Sequence, residues 1–303
     1  MIAVTGAGGF IGAELVAGLN RAGTTGILVV DFPEPLARSR RLADSRYEST
    51  AGPAGLLDLL RSPAPEVEAI LHFGACTDTM TSDWRELFDN NLRYTATLLE
   101  LCRRHGIRLI YASSAAVYGH GAEGFREEPN CESPLNPYGL SKHLVDGLVR
   151  RNLTERGSQV VGVRCFNVYG AHEGHKGRMA SMVFQLARQA ERTGTMRLFV
   201  GSDAFRRDFV HVDDVVEVSL FFLRHPELSG IYNCGTGTAV AFLEVAENLR
   251  RVLGTAEIEL VPFPAELRPR YQAHTCADLA ALRACGYARP FLSLAAGIPR
   301  TLA

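Results

Sequence analysis

Residues 2–31 read IAVTGAGGFIGAELVAGLNRAGTTGILVVD, and this stretch decides the fold. A short apolar run leads straight into a glycine-rich turn, and apolar residues then recur at helical spacing. A second apolar run follows and ends at Asp31. The order strand, glycine turn, helix, strand and terminal acid is typical of a dinucleotide-binding unit. The stretch therefore predicts an α/β fold of the Rossmann type.

Each glycine of the turn has a physical reason to be there. Gly6 allows a tight turn that a Cβ would obstruct, and Gly9 allows backbone amides to approach a pyrophosphate. Gly12 allows the helix to pack closely on the first strand, and the N-terminus of that helix then faces the phosphates. Asp31 follows Gly12 by 19 residues, close to the ~20 expected of the acid that binds the adenosine ribose.

The composition indicates a globular protein without a charged partner surface. The chain has 303 residues, 47% of them hydrophobic and 21% charged, with a formal net charge of −1. That balance favours neither nucleic acid nor an anionic membrane, and no run of ~20 apolar residues predicts a membrane span. Seven scattered cysteines without a C-x-x-C pair predict reduced thiols. The first strand leaves no room for a signal peptide, so we expect a cytoplasmic protein.

Strands and helices alternate along most of the chain, which predicts a doubly wound parallel sheet. We expect a dinucleotide-binding Rossmann domain at 1–166 and a smaller, mixed α/β substrate-binding lobe at 167–303, with 206–236 rejoining the first domain. The segment 32–41, which contains two prolines, is predicted to be a loop. Ser82 is predicted to cap a single helix that ends near His105.

The sequence YGLSK places Tyr138 and Lys142 four residues apart, on one face of a predicted helix. A phenol has a pKa near ~10, and a lysine one turn away together with an oxidised nicotinamide lowers it. Tyr138 is then expected to exchange a proton with a substrate hydroxyl while hydride moves to or from the ring. Lys142 is expected to bind the nicotinamide ribose as well. Ser114, at the end of a strand, is expected to donate a hydrogen bond to the reacting oxygen.

These motifs carry a resemblance to a known group of enzymes. The T-G-x-x-G-x-x-G pattern at 5–12, the serine pair at 113–114 and the Tyr138/Lys142 pair resemble the extended short-chain dehydrogenase/reductase superfamily. The segments FNVYG at 166–170, EGHKG at 173–177, MAS at 179–181, RDFV at 207–210 and RYQA at 270–273 are similar to the ADP-L-glycero-D-manno-heptose 6-epimerase family.

The resemblance implies a reaction, a cofactor and an assembly. A bound nicotinamide cofactor oxidises C6″ of an ADP-linked heptose to a ketone, and hydride then returns to the opposite face, in the synthesis of lipopolysaccharide core heptose. Tyr138 and Lys176 are the implied acid/base residues on opposite sides of the carbonyl. The family's usual cofactor is NADP, with Arg38 as the implied partner of the 2′-phosphate. Asp31 favours a free 2′-hydroxyl, so NAD stays open. A homo-oligomer is also implied.

The remaining site residues are carried over by the same resemblance. Arg207 suits a substrate diphosphate because a guanidinium pairs with it bidentately. Arg178 and Gln185 stand where the family usually has Ser and His, which leaves the sugar recognition open. The implied cofactor residues are Gly6, Gly9, Phe10, Ile11, Gly12, Asp31, Phe32, Arg38, Phe73, Gly74, Ala75, Cys76, Thr77, Asn90, Lys142, Val168 and Lys176. The implied substrate residues are Ser114, Asn167, Arg178, Gln185, Phe199, Val200, Gly201, Ser202, Arg207 and Tyr271.

Other functions are considered beside this one. A 4,6-dehydratase of the superfamily usually has Asp-Glu after the active-site Ser or Thr, whereas Ala115 and Ala116 follow here. A different nucleotide-sugar epimerase is a further alternative. A non-enzymatic NADP-binding protein typically lacks the Tyr or the Lys, and this chain has both. No metal site is expected, because the H-x-x-H at 172–175 has no evident third ligand.

Overall fold

The protein is described by a computed structural model at residues 1–79, 81, 83–153, 157–254, 256–264 and 271–302. Ser82, the predicted helix cap, and Arg270 of the RYQA segment lie outside the described residues. The strands within the described residues are β1 (Ile2–Thr5), β2 (Ile27–Val30), β3 (Ser49–Ala51), β4 (Ala69–His72), β5 (Arg108–Ser114), β6 (Val160–Cys165), β7 (Asn167–Tyr169), β8 (Thr195–Phe199), β9 (Arg206–His211), β10 (Gly230–Cys234), β11 (Ala239–Ala241) and β12 (Glu257–Val261).

Helices alternate with most of these strands. A π-helical turn spans Phe88–Arg93, and 3₁₀ segments span Ala115–Tyr118, Pro129–Cys131 and Glu173–Met179. The α-helices of the described chain are α1 (Phe10–Arg21), α2 (Pro33–Arg38), α3 (Arg40–Ala43), α4 (Pro53–Leu60), α5 (Trp84–Leu87), α6 (Tyr94–His105), α7 (Pro137–Asn152), α8 (Met182–Thr193), α9 (Val212–Arg224), α10 (Phe242–Leu253), α11 (Ala280–Ala284) and α12 (Leu294–Leu302).

Seven strands form the main sheet in the order β10-β6-β5-β4-β1-β2-β3, and every pairing in it is parallel. The strand order reverses between β1 and β4, so a crevice opens outside the carboxyl ends of these two strands. The sequence expectation of a doubly wound parallel sheet is therefore confirmed. The glycine turn and Asp31 follow strands at this one edge, and Ser114 ends β5 there.

Both faces of the main sheet are covered by helices. On one face α1 packs so closely on α9 that a Cβ at Gly18 would lie 2.3 Å from the Cγ1 atom of Val216. On the other face Leu56, Leu98 and Val145, from α4, α6 and α7, belong to a second buried cluster. The buried strands carry apolar residues on both faces because neither face meets water.

Two small sheets lie outside the main sheet, and we refer to the part of the chain around them as the second lobe. One is three-stranded, in the order β11-β9-β7, and the other pairs β12 with β8. Helices α8, α10 and α12 enclose a separate core that includes Val183, Val245 and Ile298. Within the segment 206–236, β9 joins the three-stranded sheet whereas β10 joins the main sheet. No helix among the described residues is long and apolar enough to cross a membrane.

One local expectation was wrong, and a second gains a feature that the sequence pattern did not predict. The segment 32–41 is not a loop, because α2 begins at Pro33 and α3 follows at Arg40. Proline is favourable at the first helical position, since the N–H that it lacks has no partner there. The helix expected up to His105 runs without a break from Trp84, with a π-helical turn between α5 and α6. The side chain of Asp83 caps α5 by accepting two backbone N–H groups.

We predict opposite stability changes for two glycine-to-alanine substitutions in helices. A Cβ at Gly12 would lie 2.0 Å from the carbonyl oxygen of Gly6, whereas one at Gly147 in α7 would meet no atom within 4 Å. Gly12→Ala should lower the free energy of unfolding by about 1–3 kcal/mol, as overpacking does. Gly147→Ala, the matched control, should raise it by about 0.5–1 kcal/mol through helix propensity. Urea denaturation measures both, and an unchanged midpoint for Gly12→Ala would contradict the close contact.

Candidate active site

A cleft of about 950 Å³ opens at the carboxyl edge of the main sheet. The glycine turn, the ends of β2, β4 and β5, the start of α7 and residues of the second lobe line it. It brings together all the site residues predicted from the sequence except Arg178 and the segment 199–202. Those that line the cleft are Gly6, Gly9, Phe10, Ile11, Gly12, Asp31, Phe32, Arg38, Phe73, Gly74, Ala75, Cys76, Thr77, Asn90, Ser114, Tyr138, Lys142, Asn167, Val168, Lys176, Gln185, Arg207 and Tyr271.

The glycine turn is shaped for a phosphate group. Gly6 has φ +68°, and a Cβ there would lie 2.7 Å from the Cα atom of Gly74, so only glycine fits. Helix α1 begins at Phe10, and no side chain caps its N-terminus. The first-turn N–H groups and the positive end of the helix dipole are thus available to an anion. These residues fit the pyrophosphate of a dinucleotide.

Asp31 is fixed at the end of β2 by the turn that it faces. Its Oδ2 accepts the N–H of Gly8 at 3.0 Å, and its Oδ1 accepts the N–H of Phe32 at 2.8 Å. Burial raises the pKa of Asp31, and these two hydrogen bonds oppose the rise. Arg38, at the end of α2, pairs with Glu34 at 3.0 Å with its side chain 67% exposed. Such an exposed pair holds its cation weakly, so the guanidinium is free to take another anion.

Helix α7 delivers Tyr138 and Lys142 to the floor of the cleft. Asn136 caps the helix by accepting the N–H of Gly139 at 2.7 Å. Lys142 Nζ donates to the carbonyl oxygen of Ala112 at 2.9 Å and lies 6.0 Å from the ring centroid of Tyr138. Burial lowers the pKa of Lys142 to about 8, with the charge of Asp146 opposing the change.

The phenol of Tyr138 is less acidic than the sequence suggested. Burial raises its pKa to about 12, and a hydrogen bond with Ser114 opposes the rise. The lowering of this pKa expected from Lys142 is not found in the protein alone, where burial dominates because removing a phenolate from water is costly. The Tyr138 side chain is therefore a protonated hydrogen-bond donor at neutral pH.

A buried ionic network supports α7 from behind. Asp146, one turn after Lys142, accepts hydrogen bonds from Tyr111 and Ser113 at 2.8 Å and from Arg164 Nε at 2.9 Å. Arg164 is completely buried in β6 and also pairs with Glu132. No sequence pattern predicted this network, although a single arginine inside the apolar run of β6 was a usable signal.

The π-helical turn contains Asn91, a structural residue that was not predicted from the sequence. Asn90 lines the cleft, and its neighbour Asn91 is buried. Asn91 accepts the N–H of Cys76 at 2.8 Å and donates to the carbonyl oxygen of Cys76 at 3.0 Å and to Ser141 Oγ at 3.1 Å. Ser141 in turn donates to the carbonyl oxygen of Tyr138 at 2.7 Å. Asn91 therefore ties the loop after β4 to the first turn of α7.

His72 connects the same loop to the glycine turn. Its ring bonds Thr5 Oγ1 at 2.6 Å and Thr95 Oγ1 at 2.9 Å, and Thr5 Oγ1 also accepts the N–H of Gly74 at 3.1 Å. Burial, together with the charge of Lys142, lowers the pKa of His72 to about 3. The ring is thus neutral, and it acts here as a rigid hydrogen-bonding spacer.

Lys176 enters the cleft from the opposite lobe. Its Nζ donates to Glu173 Oε2 at 2.9 Å and lies 4.9 Å from the ring centroid of Phe10. Glu173 is fully buried and also accepts the N–H and hydroxyl of Ser181 at 2.7 and 2.6 Å. The carboxylate therefore fixes both the loop and the amine above the glycine turn.

The chain uses lysine nowhere else. Lys142 and Lys176 are the only lysines among its 32 basic residues, and both line the cleft. The other 30 Lys/Arg positions are all arginine. A need for positive charge alone therefore does not account for lysine at these two positions. Lysine differs from arginine in that its amine loses a proton when its pKa is lowered.

Arg207 offers a cation from the second lobe. The side chain is almost entirely buried, and its guanidinium lies 5.2 Å from the ring centroid of Tyr271 and 5.6 Å from that of Phe242. Burial lowers its pKa to about 10, which still leaves it charged at neutral pH. No carboxylate within the described part of the chain forms an ion pair with it. A buried, aromatic-stacked arginine without an acidic partner is suited to an anionic ligand.

The predicted residues outside the cleft have other surroundings. Arg178 pairs with Asp78 at the rim and is 70% exposed on its side chain. Gln185 lines both the main cleft and an adjoining pocket of about 180 Å³, where it meets Phe199 and Ser202. Val200, 57% exposed, and Gly201 line neither. No group of three or more His, Cys, Asp or Glu within the described residues is placed to hold a metal ion.

Comparisons with known proteins identify related enzymes. A family model described as NAD dependent epimerase/dehydratase family matches residues 2–235. A curated protein of Brachyspira hyodysenteriae named ADP-L-glycero-D-manno-heptose-6-epimerase is 46% identical over 99% of this chain and 96% of its own length.

Solved structures show the same likeness. The crystal structure of the Helicobacter pylori ADP-L-glycero-D-manno-heptose-6-epimerase has a TM-score of 0.86 and 28% identity, over 99% of this chain and 94% of that one. The Thermus thermophilus UDP-glucose 4-epimerase in complex with NAD has a TM-score of 0.82 and 28% identity, over 99% and 97% of the two chains. The second of these relatives holds NAD, which supports a nicotinamide cofactor here.

We predict that Lys142 titrates near pH 8 in the cofactor-free protein, because burial lowers its pKa to about that value. Protein labelled with ¹³C-lysine should show two side-chain signals, since the sequence has two lysines. Lys176→Arg removes one of them and so assigns the other to Lys142. NMR across pH 6.5–11 measures the midpoint, and an ordinary lysine pKa for the remaining signal would show that Lys142 is not desolvated.

Proposed function

The chain belongs to the NAD dependent epimerase/dehydratase family and, within it, to the ADP-L-glycero-D-manno-heptose-6-epimerases, and we propose that it interconverts ADP-D-glycero-β-D-manno-heptose and ADP-L-glycero-β-D-manno-heptose. The chain is a nucleotide-sugar epimerase. The observation that carries the proposed substrate is the pair Tyr138 and Lys176, which enter one cleft from different lobes. A bound nicotinamide dinucleotide supplies the hydride acceptor and donor at C6″.

Tyr138 is the proposed acid/base residue on one face of the C6″ carbonyl group. Its hydrogen bond with Ser114 orients the phenol and opposes the rise in its pKa. The positive charge of an oxidised nicotinamide, which the cofactor-free protein lacks, would favour the Tyr138 phenolate. In the oxidation of one epimer the phenolate oxygen takes the proton of the C6″ hydroxyl, and in the return step to the other epimer Lys176 gives a proton to the C6″ oxygen. The reverse reaction uses the two groups in the opposite order. Lys142 stabilises the phenolate electrostatically and is itself fixed by the carbonyl oxygen of Ala112.

Lys176 is the proposed acid/base residue of the other face. A single base serves both C6″ configurations only if the sugar turns in the site, and a second base removes that requirement. Glu173 holds the amine of Lys176 in place. The near-absence of lysine elsewhere supports the assignment, because an arginine at this position keeps the charge but does not exchange a proton at neutral pH.

Arg207 and Tyr271 are proposed to hold the nucleotide diphosphate. The guanidinium is buried against aromatic rings, so its interaction with a phosphate is only weakly screened by water. Gln185 and Ser202 adjoin this position through the smaller pocket. Arg178, paired with Asp78 at the rim, is placed beside the entrance.

NADP is the proposed cofactor. Arg38 lines the cleft beyond Asp31, where its weakly held guanidinium is available to a 2′-phosphate. Asp31 already accepts two backbone N–H groups, which satisfies much of its charge and reduces its repulsion of that phosphate. The proposal keeps the cytoplasmic location and the homo-oligomer implied by the resemblance.

Dehydration is the less favoured alternative. It requires an acid beside the active-site serine, and Ala115 and Ala116 occupy the 3₁₀ segment that follows Ser114. The related proteins named as heptose epimerases point the same way.

We predict that the purified protein converts ADP-D-glycero-β-D-manno-heptose to a mixture of both C6″ epimers without added reductant, as followed by NMR. Tyr138→Phe should lower the rate by about 10²–10⁴-fold, the usual contribution of a general acid/base. Lys176→Arg should lower the rate by a similar factor, although it keeps the positive charge beside Glu173. Near-normal turnover by Lys176→Arg would show that Lys176 acts only through its charge. If the cofactor-loaded wild type converted none of the ADP-heptose, this sugar would be excluded as the substrate.

We predict that Arg38→Ala weakens NADP⁺ binding by about tenfold or more and leaves NAD⁺ binding nearly unchanged, because only NADP⁺ presents the 2′-phosphate. A hydrogen bond to a charged group contributes about 1.5–3 kcal/mol, which sets the scale of the loss. Isothermal titration calorimetry measures both affinities. Arg61→Ala, which removes a comparably exposed i,i+3 ion pair outside the cleft, is the control. Equal losses for the two cofactors would remove Arg38 as the 2′-phosphate contact.

A further inference from the structure

The loop that carries Lys176 also carries His175, which the proposed reaction does not use. His175 lies in the 3₁₀ segment Glu173–Met179 and lines the main cleft together with Arg38. These two residues come from different lobes and are 137 positions apart in the chain. A contact between them therefore depends on how the loop is held across the glycine turn.

A chain of polar contacts holds the loop beside the segment after β2. His172 Nδ1 lies 3.1 Å from Glu14 Oε1, and Arg41 Nε lies 3.0 Å from the same oxygen. Glu14 is buried in α1, directly beyond the glycine turn. His172 has φ +67°, a strained conformation for a residue other than glycine, so the loop is kept in place by its contacts.

The ring of His175 is oriented by one hydrogen bond and leaves its other nitrogen available. Nδ1 donates to the carbonyl oxygen of His172 at 3.1 Å, which assigns the proton of the neutral ring to Nδ1. Within the described residues, Nε2 has no hydrogen-bond partner. The charged groups that act on the ring are Lys176 and Glu173 from its own segment and Arg38 from α2. Glu14 is already shared by His172 and Arg41.

We propose that His175 is a second determinant of cofactor specificity, whose protonated Nε2 donates a hydrogen bond to the 2′-phosphate of NADP beside Arg38. The inference rests on the proposed preference for NADP. Within the described residues, Arg38 is the basic residue of the segment after β2 that lines the cleft, and the histidine from the opposite lobe supplies a second cation. Because Nε2 has to be protonated to donate, the contact depends on pH.

The sign of the pH dependence follows from the groups around the ring. In the free protein, burial and the cations Lys176 and Arg38 keep the pKa of His175 below its usual value, with Glu173 opposing them. A phosphate dianion beside Nε2 raises that pKa, so binding of NADP⁺ takes up a proton. The affinity for NADP⁺ relative to NAD⁺ should therefore rise as the pH falls, by about tenfold for each unit of pKa shift.

Calorimetric titration of the full-length, cofactor-free protein tests the proposal without relying on turnover. NADP⁺ and NAD⁺ are each titrated at pH 6.0, 7.0 and 8.5, in two buffers of different ionisation enthalpy, so that proton uptake is counted. The variants are His175→Gln and the control His225→Gln, which removes a histidine paired with Glu227 outside the cleft. Wild type and His225→Gln should gain about tenfold in NADP⁺ preference from pH 8.5 to 6.0, with proton uptake. His175→Gln should lose most of both.

Three results would overturn the proposal, and they have different meanings. Unchanged proton uptake in His175→Gln would assign the proton to the phosphate or another group. Equal loss of NADP⁺ and NAD⁺ affinity would place His175 on the pyrophosphate instead. Wild type without any preference for NADP⁺ would remove both His175 and Arg38 from this role, while epimerisation measured by NMR would still judge the proposed function separately.

Discussion

The geometry of the site depends on the buried ion pair between Arg164 and Asp146. Arg164 is inside β6, and Asp146 is on α7 one turn beyond Lys142. Removing one partner of such a pair costs about 3–5 kcal/mol, because it leaves an uncompensated charge in the interior. Tyr111 and Ser113 of β5 donate to the same carboxylate. The strand that ends in Ser114 and the helix that carries Tyr138 in its first turn are thereby fixed to each other.

The same arginine extends the constraint to the far edge of the sheet. Arg164 donates to the hydroxyl of Tyr118, and that hydroxyl donates to Asn233 Oδ1 in β10 at 2.6 Å. Asn233 also donates to the carbonyl oxygens of Phe125 and Asp278, which belong to two separate loops. One polar network therefore connects β5, β6, β10 and α7 behind the cleft, whereas Glu173 and Arg207 are positioned by the other lobe.

The main sheet and the position of the cleft could be predicted from residues 2–31, because glycine spacing and apolar periodicity are local signals. The Tyr138 and Lys142 pair could also be predicted, since residues four apart on a helix share a face. The partners of Asp146 and Asn91 could not be predicted, because only the fold brings them together. The pKa of Tyr138 was misjudged for a similar reason. Desolvation depends on everything packed around the phenol, and no local pattern reports it.

The restriction of lysine to two positions has a consequence for the chemistry of the molecular surface. Primary amines are the usual targets of acetylating metabolites, reducing sugars, aldehyde fixatives and succinimidyl labels. Apart from its terminal amine, this protein presents such reagents with no side-chain target outside its own cleft. Acylation of a lysine would therefore be equivalent to inhibition, and a bound ligand should protect against it. Immobilisation or labelling would have to use a thiol such as that of Cys285, a half-buried free cysteine outside the cleft.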